Sequence, residues 1–159
     1  ALSTIGTNSI ADDAVTAAKA TGFGKIGQIV SGTQTADMSS SSTSYVQNFS
    51  VQITPVATSS KIAVISHSGR LDTNSSGAAI AVAIYRDSTN ITNYTQGGAQ
   101  GRFESANASL GNVSINLVDS PNSTSQLTYY MYYKSENGSH TVFLNNDALT
   151  SMILMEILA

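Results

Sequence analysis

The chain has no cysteine, so neither disulfide stapling nor a thiolate metal site is open to it. Charge is scarce too: Asp, Glu, Lys and Arg make up 11% of 159 residues and leave a net charge of −3. The Lys and Arg residues are scattered singly, without the basic run that neutralises phosphates, so nucleic acid is not an expected partner. No apolar stretch approaches the roughly 18 residues of a transmembrane helix, and membrane insertion is not expected. No signal-peptide pattern opens the sequence, and its Ala1-Leu2-Ser3 start suits a fragment of a longer chain. What remains is 41% hydrophobic residues at low net charge, enough for one domain with a core. Without cysteines, durability has to come from packing and oligomerisation. A surface rich in hydroxyls and amides suits a durable extracellular object.

Residues 1–27 differ from the rest. Ile5, Ile10 and Val15 recur among Gly, Thr, Asn, Ser and Asp, and Asp12-Asp13 cap a short helical stretch ending near Lys19. This segment reads as a stalk or linker, and residues 28–159 as a head domain. From Gln28 the hydrophobic period is two. Strands are expected at 28–32, 45–53, 61–67, 78–86, 110–118, 126–134, 140–145 and 151–158, with turns at Pro55, Asp87–Asn90, Asp119–Asn122 and Asn137-Gly138. Tyr45, Phe49, Val51 and Ile53 are placed on one face of their strand. Ala79, Ala81, Ala83 and Tyr85 lie opposite Ile80, Val82 and Ile84. About eight or nine strands with almost no helix predict an antiparallel β-sandwich, jelly-roll-like.

The last strand, Ser151–Leu158, is apolar on both faces. Ile153, Met155 and Ile157 lie on one, and Met152, Leu154 and Leu158 on the other with Glu156. Burial on both faces is therefore expected, against a second sheet on one side and another subunit on the other. The face of Met152, Leu154, Glu156 and Leu158 is assigned to the contact between subunits, which the resemblance described below makes a trimer interface, together with Ile5, Ile10 and Val15 of the leader. Glu156 needs a Lys or Arg partner or a wet edge. Three copies near an axis would raise one another's pKa.

Several phrases, in order, resemble the C-terminal head domains of bacteriophage tail fibres, especially those of marine and cyanobacterial phages. They are Lys25–Val30, Ile53–Ile62, Tyr85–Ile91, Leu117–Pro121 and Ile153–Ile157. The leader Ile10–Lys19 is similar to the linkers that precede such heads. The resemblance covers nearly the whole chain. It implies a homotrimeric appendage on the virion, joined through its N-terminus to other fibre or tail proteins and attaching to a host-surface glycan or envelope protein. A capsid fibre, or a structural cap that binds no receptor, is the alternative. No catalytic, metal or cofactor residues come with the resemblance.

Catalysis is not expected. His67 and His140 have no acid and nucleophile near them in sequence, and the carboxylates are dispersed. A glycosidase pair such as Asp72 with Asp87 has no support over solvated turn residues. The Asn-x-Ser/Thr sequons at Asn90, Asn93, Asn107 and Asn137 are what an Asn-, Ser- and Thr-rich chain contains by chance. Tyr130 and Tyr132 point outward from the 126–134 strand. They suit either stacking on sugar rings or packing in a subunit interface, the commoner use. Loop residues Tyr94, Gln96, Gln100 and Arg102 are the other candidates for a ligand.

Overall fold

The computed structural model describes residues 25–92, 98–102, 109–145 and 147–158, with the backbone alone for 99–102, 109 and 110. The leader helix and Ile5, Ile10 and Val15 lie outside these residues. Every regular element among them is a strand, and all pairings are antiparallel.

One layer contains two end-to-end sheets. The first has β1 (Lys25–Gln34), β13 (Thr150–Leu158), β4 (Lys61–His67) and β10 (Ser114–Asp119), in that order. The second has β2 (Met38–Ser40), β12 (Val142–Asn145), β5 (Arg70–Thr73) and β9 (Ser109–Gly111). The orders match pairwise because each pair is one long strand broken at a common level. Gln34 pairs with Thr150 and Met38 with Leu144 across the first break, and Ser114 pairs with His67 and Gly111 with Leu71 across another. The facing layer has β3 (Val46–Ile53), β11 (Leu127–Ser135), β6 (Ala79–Arg86) and β7 (Thr89–Asn90), with β8 (Ala99–Arg102) also on β6. The chain crosses between layers so that hydrogen-bonded neighbours are distant in sequence, which is jelly-roll connectivity.

Both layers obey the period-two rule. β11 is paired on both sides, and Leu127, Tyr129, Met131, Tyr133 and Ser135 alternate strictly inward. They meet Ile62, Val64, Met152 and Leu154 from the opposite layer in one core. At one margin Arg86 donates to both oxygens of Asp119 at 2.8 and 2.7 Å, and the Tyr129 hydroxyl donates to the same carboxylate at 2.7 Å. This trio ties β6 and β11 to β10. Burial and then the Asp119 carboxylate push the Tyr129 hydroxyl pKa well up, so it stays a donor.

The line of breaks is stitched by buried polar groups. The Ser68 amide donates to Val113 O at 2.8 Å, and the Val113 amide donates to Ser68 Oγ at 2.9 Å. The Gly69 amide donates to Thr150 Oγ1 at 2.7 Å. Gly69 has no alternative there: a Cβ would lie 2.7 Å from Asn145 Cα, which is backbone.

Three expectations change. β1 already includes Lys25–Gly27, which the domain division gave to the leader. Met152, Leu154 and Glu156 are fully buried within this one chain, so they face its own second layer and are not free for a subunit contact. Leu158, on the same side of β13, is half-buried against the backbone of Gly27. The outward face of β13 is instead Ile153, Met155 and Ile157. Finally, Glu156 is fully buried and has no cation beside it among the described residues. Val56 N–H donates to its Oε1 at 2.8 Å and Gln28 Nε2 to its Oε2 at 2.6 Å. Burial alone would raise its pKa, but hydrogen bonding from Gln28 and the Val56 amide carries the net shift downward, opposite to the axial expectation.

Candidate functional site

The outer side of the β3–β11–β6 sheet carries four tyrosines in continuous ring contact. On β11, Tyr130 and Tyr132 alternate outward between the buried Tyr129, Met131 and Tyr133. Tyr85 leaves β6 on the same side, directly opposite Tyr130. Tyr45 precedes β3 and joins them through an irregularity. Phe49 pairs with Met131 but Gln47 with Tyr132, so Asn48 is an extra residue in β3. One inserted residue exchanges the faces of everything beyond it. Phe49 therefore stays in the core and Tyr45 moves to the outer side, contrary to the expectation that the two share a face. Asn48 itself is buried and bonded to Asn145.

The ring centroids of Tyr45 and Tyr85 are 5.7 Å apart, those of Tyr85 and Tyr132 4.6 Å, and those of Tyr132 and Tyr130 5.7 Å. Interplanar angles of 64°, 49° and 55° give tilted and edge contacts, the arrangement the ring quadrupole favours. The alanines of β6 make room for these rings. Ala83 is opposite Tyr132 and Ala81 opposite Lys134, and both methyls are fully buried on the outer side of the sheet. Larger side chains close over that shallow trough.

Polar groups border the rings. Lys134 Nζ sits 5.2 Å from the Tyr45 ring centroid and 3.2 Å from Glu136 Oε1. The Tyr45 hydroxyl is buried and has no hydrogen-bond partner among the described residues. Burial first, then Tyr85 and Glu136, push its pKa up to about 12, so at neutral pH it carries its proton and can donate. The face thus combines tilted π surfaces and an internally neutralised ion pair. Such a surface can stack on the C–H face of a sugar ring and hydrogen-bond to its hydroxyls.

The candidates from sequence divide as follows. Tyr130 and Tyr132 are both in the array. Gln100 and Arg102 are on β8, paired opposite Ala81 and Ala79 of β6, so their strand belongs to the same sheet. Tyr94 and Gln96 lie outside the described residues. Tyr45, Tyr85, Lys134 and Glu136 were not singled out as ligand candidates. Tyr85 and Lys134 could have been found from the alternation of their strands, whereas Tyr45 is hidden by the Asn48 insertion. Asp72 is on β5 in one layer, bound to Arg70 at 2.8 Å, and Asp87 follows β6 in the facing layer, where it accepts from the Thr128 amide at 3.0 Å.

No family model and no curated protein matches the chain. Among solved structures it is similar over 84% of its length to the structure of infectious bursal disease virus Gx strain, with 12% identity and a TM-score of 0.37, covering 38% of that chain. The structure of the Gt strain of the same virus matches over 84% of this chain and 41% of that one, with 15% identity and a TM-score of 0.29. The chain spans about two fifths of the length of either, and superpositions this loose carry no argument about function.

Proposed function

We propose that the chain is a virion structural protein, the distal head of a trimeric phage fibre, that attaches non-covalently to host-surface glycan through its outward tyrosine face. The four-ring array is the observation that carries the binding part. A tyrosine cluster kept half-buried over alanines is preorganised, so little side-chain freedom is lost when a sugar stacks on it. Lys134 and Glu136 neutralise each other, which suits neutral, hydroxyl-rich saccharides over polyanions. The virion part follows the ordered resemblance to fibre heads and the jelly-roll architecture. Three weak sites on one trimer would act by avidity.

Tyr132 touches both Tyr85 and Tyr130 and is the residue to remove. Tyr132→Ala, assayed against an array of bacterial capsular and O-antigen polysaccharides, should lose about 3- to 10-fold in single-site affinity. The loss should be larger when binding is multivalent. The wild-type protein should also block phage adsorption to a bacterium carrying the bound glycan. If wild type binds no glycan and blocks no adsorption at saturating concentration, the attachment role fails and the structural cap without receptor is the reading left. Glycan binding by Tyr132→Ala equal to wild type would move the site elsewhere.

A further inference from the structure

The opposite outside of the sandwich is chemically unlike the tyrosine face. On the β1–β13–β4–β10 sheet, the residues alternating with the buried Ile62, Val64, Met152 and Leu154 point away from the core and are themselves largely apolar. In register, Ile29, Met155, Ala63 and Val118 form one row across all four strands. The next row sets Ile153 beside Ile65, flanked by Ser31 and Asn116. A third begins with Ile26 and Ile157 and ends at Lys61. Ile29 is 61% exposed, Val118 59%, Ile65 41% and Ile153 36%.

We infer that this sheet face is the contact between copies of the chain, which would pack it toward a common axis and leave the tyrosine faces outward. The inference rests on the self-assembly part of the proposed function and assigns the surface that performs it. Three arguments select a second copy as the occupant. Four strands about 4.8 Å apart and three rows about 7 Å apart give a face on the order of 400 Å², most of it apolar. Its apolar part is in the range of the main patch on an ordinary monomer and approaches the non-polar share of one side of a standard interface. The patch also has the anatomy of an interface, with an aliphatic centre and a rim of Ser31, Asn116 and Ser151.

Charge gives the third argument. Lys61 is the one charged residue in these three rows, it stands at the end of a row, and no carboxylate accompanies it. A nucleic acid would find no cationic field here, and a saccharide no ring or hydrogen-bonding centre. The matching partner is flat, aliphatic and uncharged, which describes this same face on another copy. Such a contact leaves Lys61 at the wet rim.

The test uses the full chain and two kinds of variant. Ile65 and Ile153 are directly paired, so Ile65→Lys with Ile153→Lys sets two like charges side by side at the centre of the patch. Light scattering after size exclusion should give a multiple of the chain mass for wild type. The double variant should give the monomer mass with an unchanged β-sheet circular dichroism spectrum. Gln52→Lys, on the tyrosine side, should leave the mass of the assembly unchanged. Since the chain has no cysteine, Asn116→Cys provides an independent reading: a short bis-maleimide should join copies of it covalently. That measurement decides the matter even if the double variant does not fold.

An assembled double variant, or an assembled Asn116→Cys that does not cross-link, overturns this surface while leaving self-assembly standing. A monomeric wild type overturns both. If Asn116→Cys is then monomeric too and its thiol is shielded from a bulky thiol reagent, residues 1–24 of its own chain are the occupant. Glycan binding by such a monomer would still be read separately on the array.

Discussion

Asn145→Ala should lower the melting temperature by roughly 10 °C. Asn145 is fully buried at the break between β12 and β13, with φ 76°. Its Nδ2 donates to Ala36 O at 2.8 Å and to Asn48 Oδ1 at 3.3 Å, and its Oδ1 accepts from the Thr150 hydroxyl. Thr150 in turn accepts from the Gly69 amide. One side chain therefore holds three of the four strand breaks of one layer and the bulge of the other.

Truncation to alanine orphans the Ala36 carbonyl, the Asn48 oxygen and the Thr150 hydroxyl at once. Buried groups left unpaired cost about 1–3 kcal/mol each, and partial rescue by water brings the sum to about 4 kcal/mol. At about 2–4 °C per kcal/mol for a chain of this size, that is the expected drop. Asn145→Gly loses the same bonds but tolerates the positive φ, so it should melt above Asn145→Ala by about 1 kcal/mol of stability. Thermal unfolding followed by circular dichroism reads both. If Asn145→Ala melts within about 2 °C of wild type, the breaks are held by backbone pairing and the side-chain network is incidental.

The same residues show why some of the fold was legible and some was not. β11 and β6 could be read strictly because they are central strands of one sheet, where each residue has one buried side and one outward side. Their outward Tyr85, Tyr130 and Tyr132 were visible for the same reason. The two apolar faces of β13 were equally plain. Which face met the core was not, because Glu156 looked like the least buriable residue of the strand. Its burial depends on Val56 and Gln28, 100 and 128 residues away, and no local pattern encodes that. The breaks at Ser68-Gly69 and after Gly111 resemble loop chemistry or pass inside an alternating run, so 110–118 read as one strand. Asn48 is subtler still. A polar residue inserted into an alternating string looks like one more outward position, and only the partner strand reveals that the parity has changed. Three of the four tyrosines of the array were therefore readable as outward, and Tyr45 was not.

Glu156→Gln should destabilise the protein by about 2–4 kcal/mol at neutral pH, and the deficit should shrink in acid. The carboxylate holds the loop from Thr54 to Ser60 against the end of β13, through the Val56 amide at 2.8 Å and Gln28 Nε2 at 2.6 Å. Gln28 also donates to Thr54 O at 2.7 Å, so the same side chain spans the loop and the carboxylate. Hydrogen bonds to a charged acceptor contribute about 1.5–3 kcal/mol each. Glutamine keeps one acceptor oxygen but presents an amide nitrogen to another donor, so one of the two bonds becomes a clash of donors. The pH dependence follows from the sign of the shift. The folded-state pKa of Glu156 lies below its ordinary 4.5, so its stabilising contribution is complete above that value and is lost as pH falls through it toward the folded pKa. The neutral variant has no such dependence at this position. The difference in stability between wild type and Glu156→Gln, measured by urea unfolding, should therefore be flat from pH 8 to about 6 and narrow below about 4.5. A difference that widened in acid would mean that the carboxyl is protonated in the folded protein. Its hydrogen bonds would then be those of a neutral acid, and the loop would need another anchor.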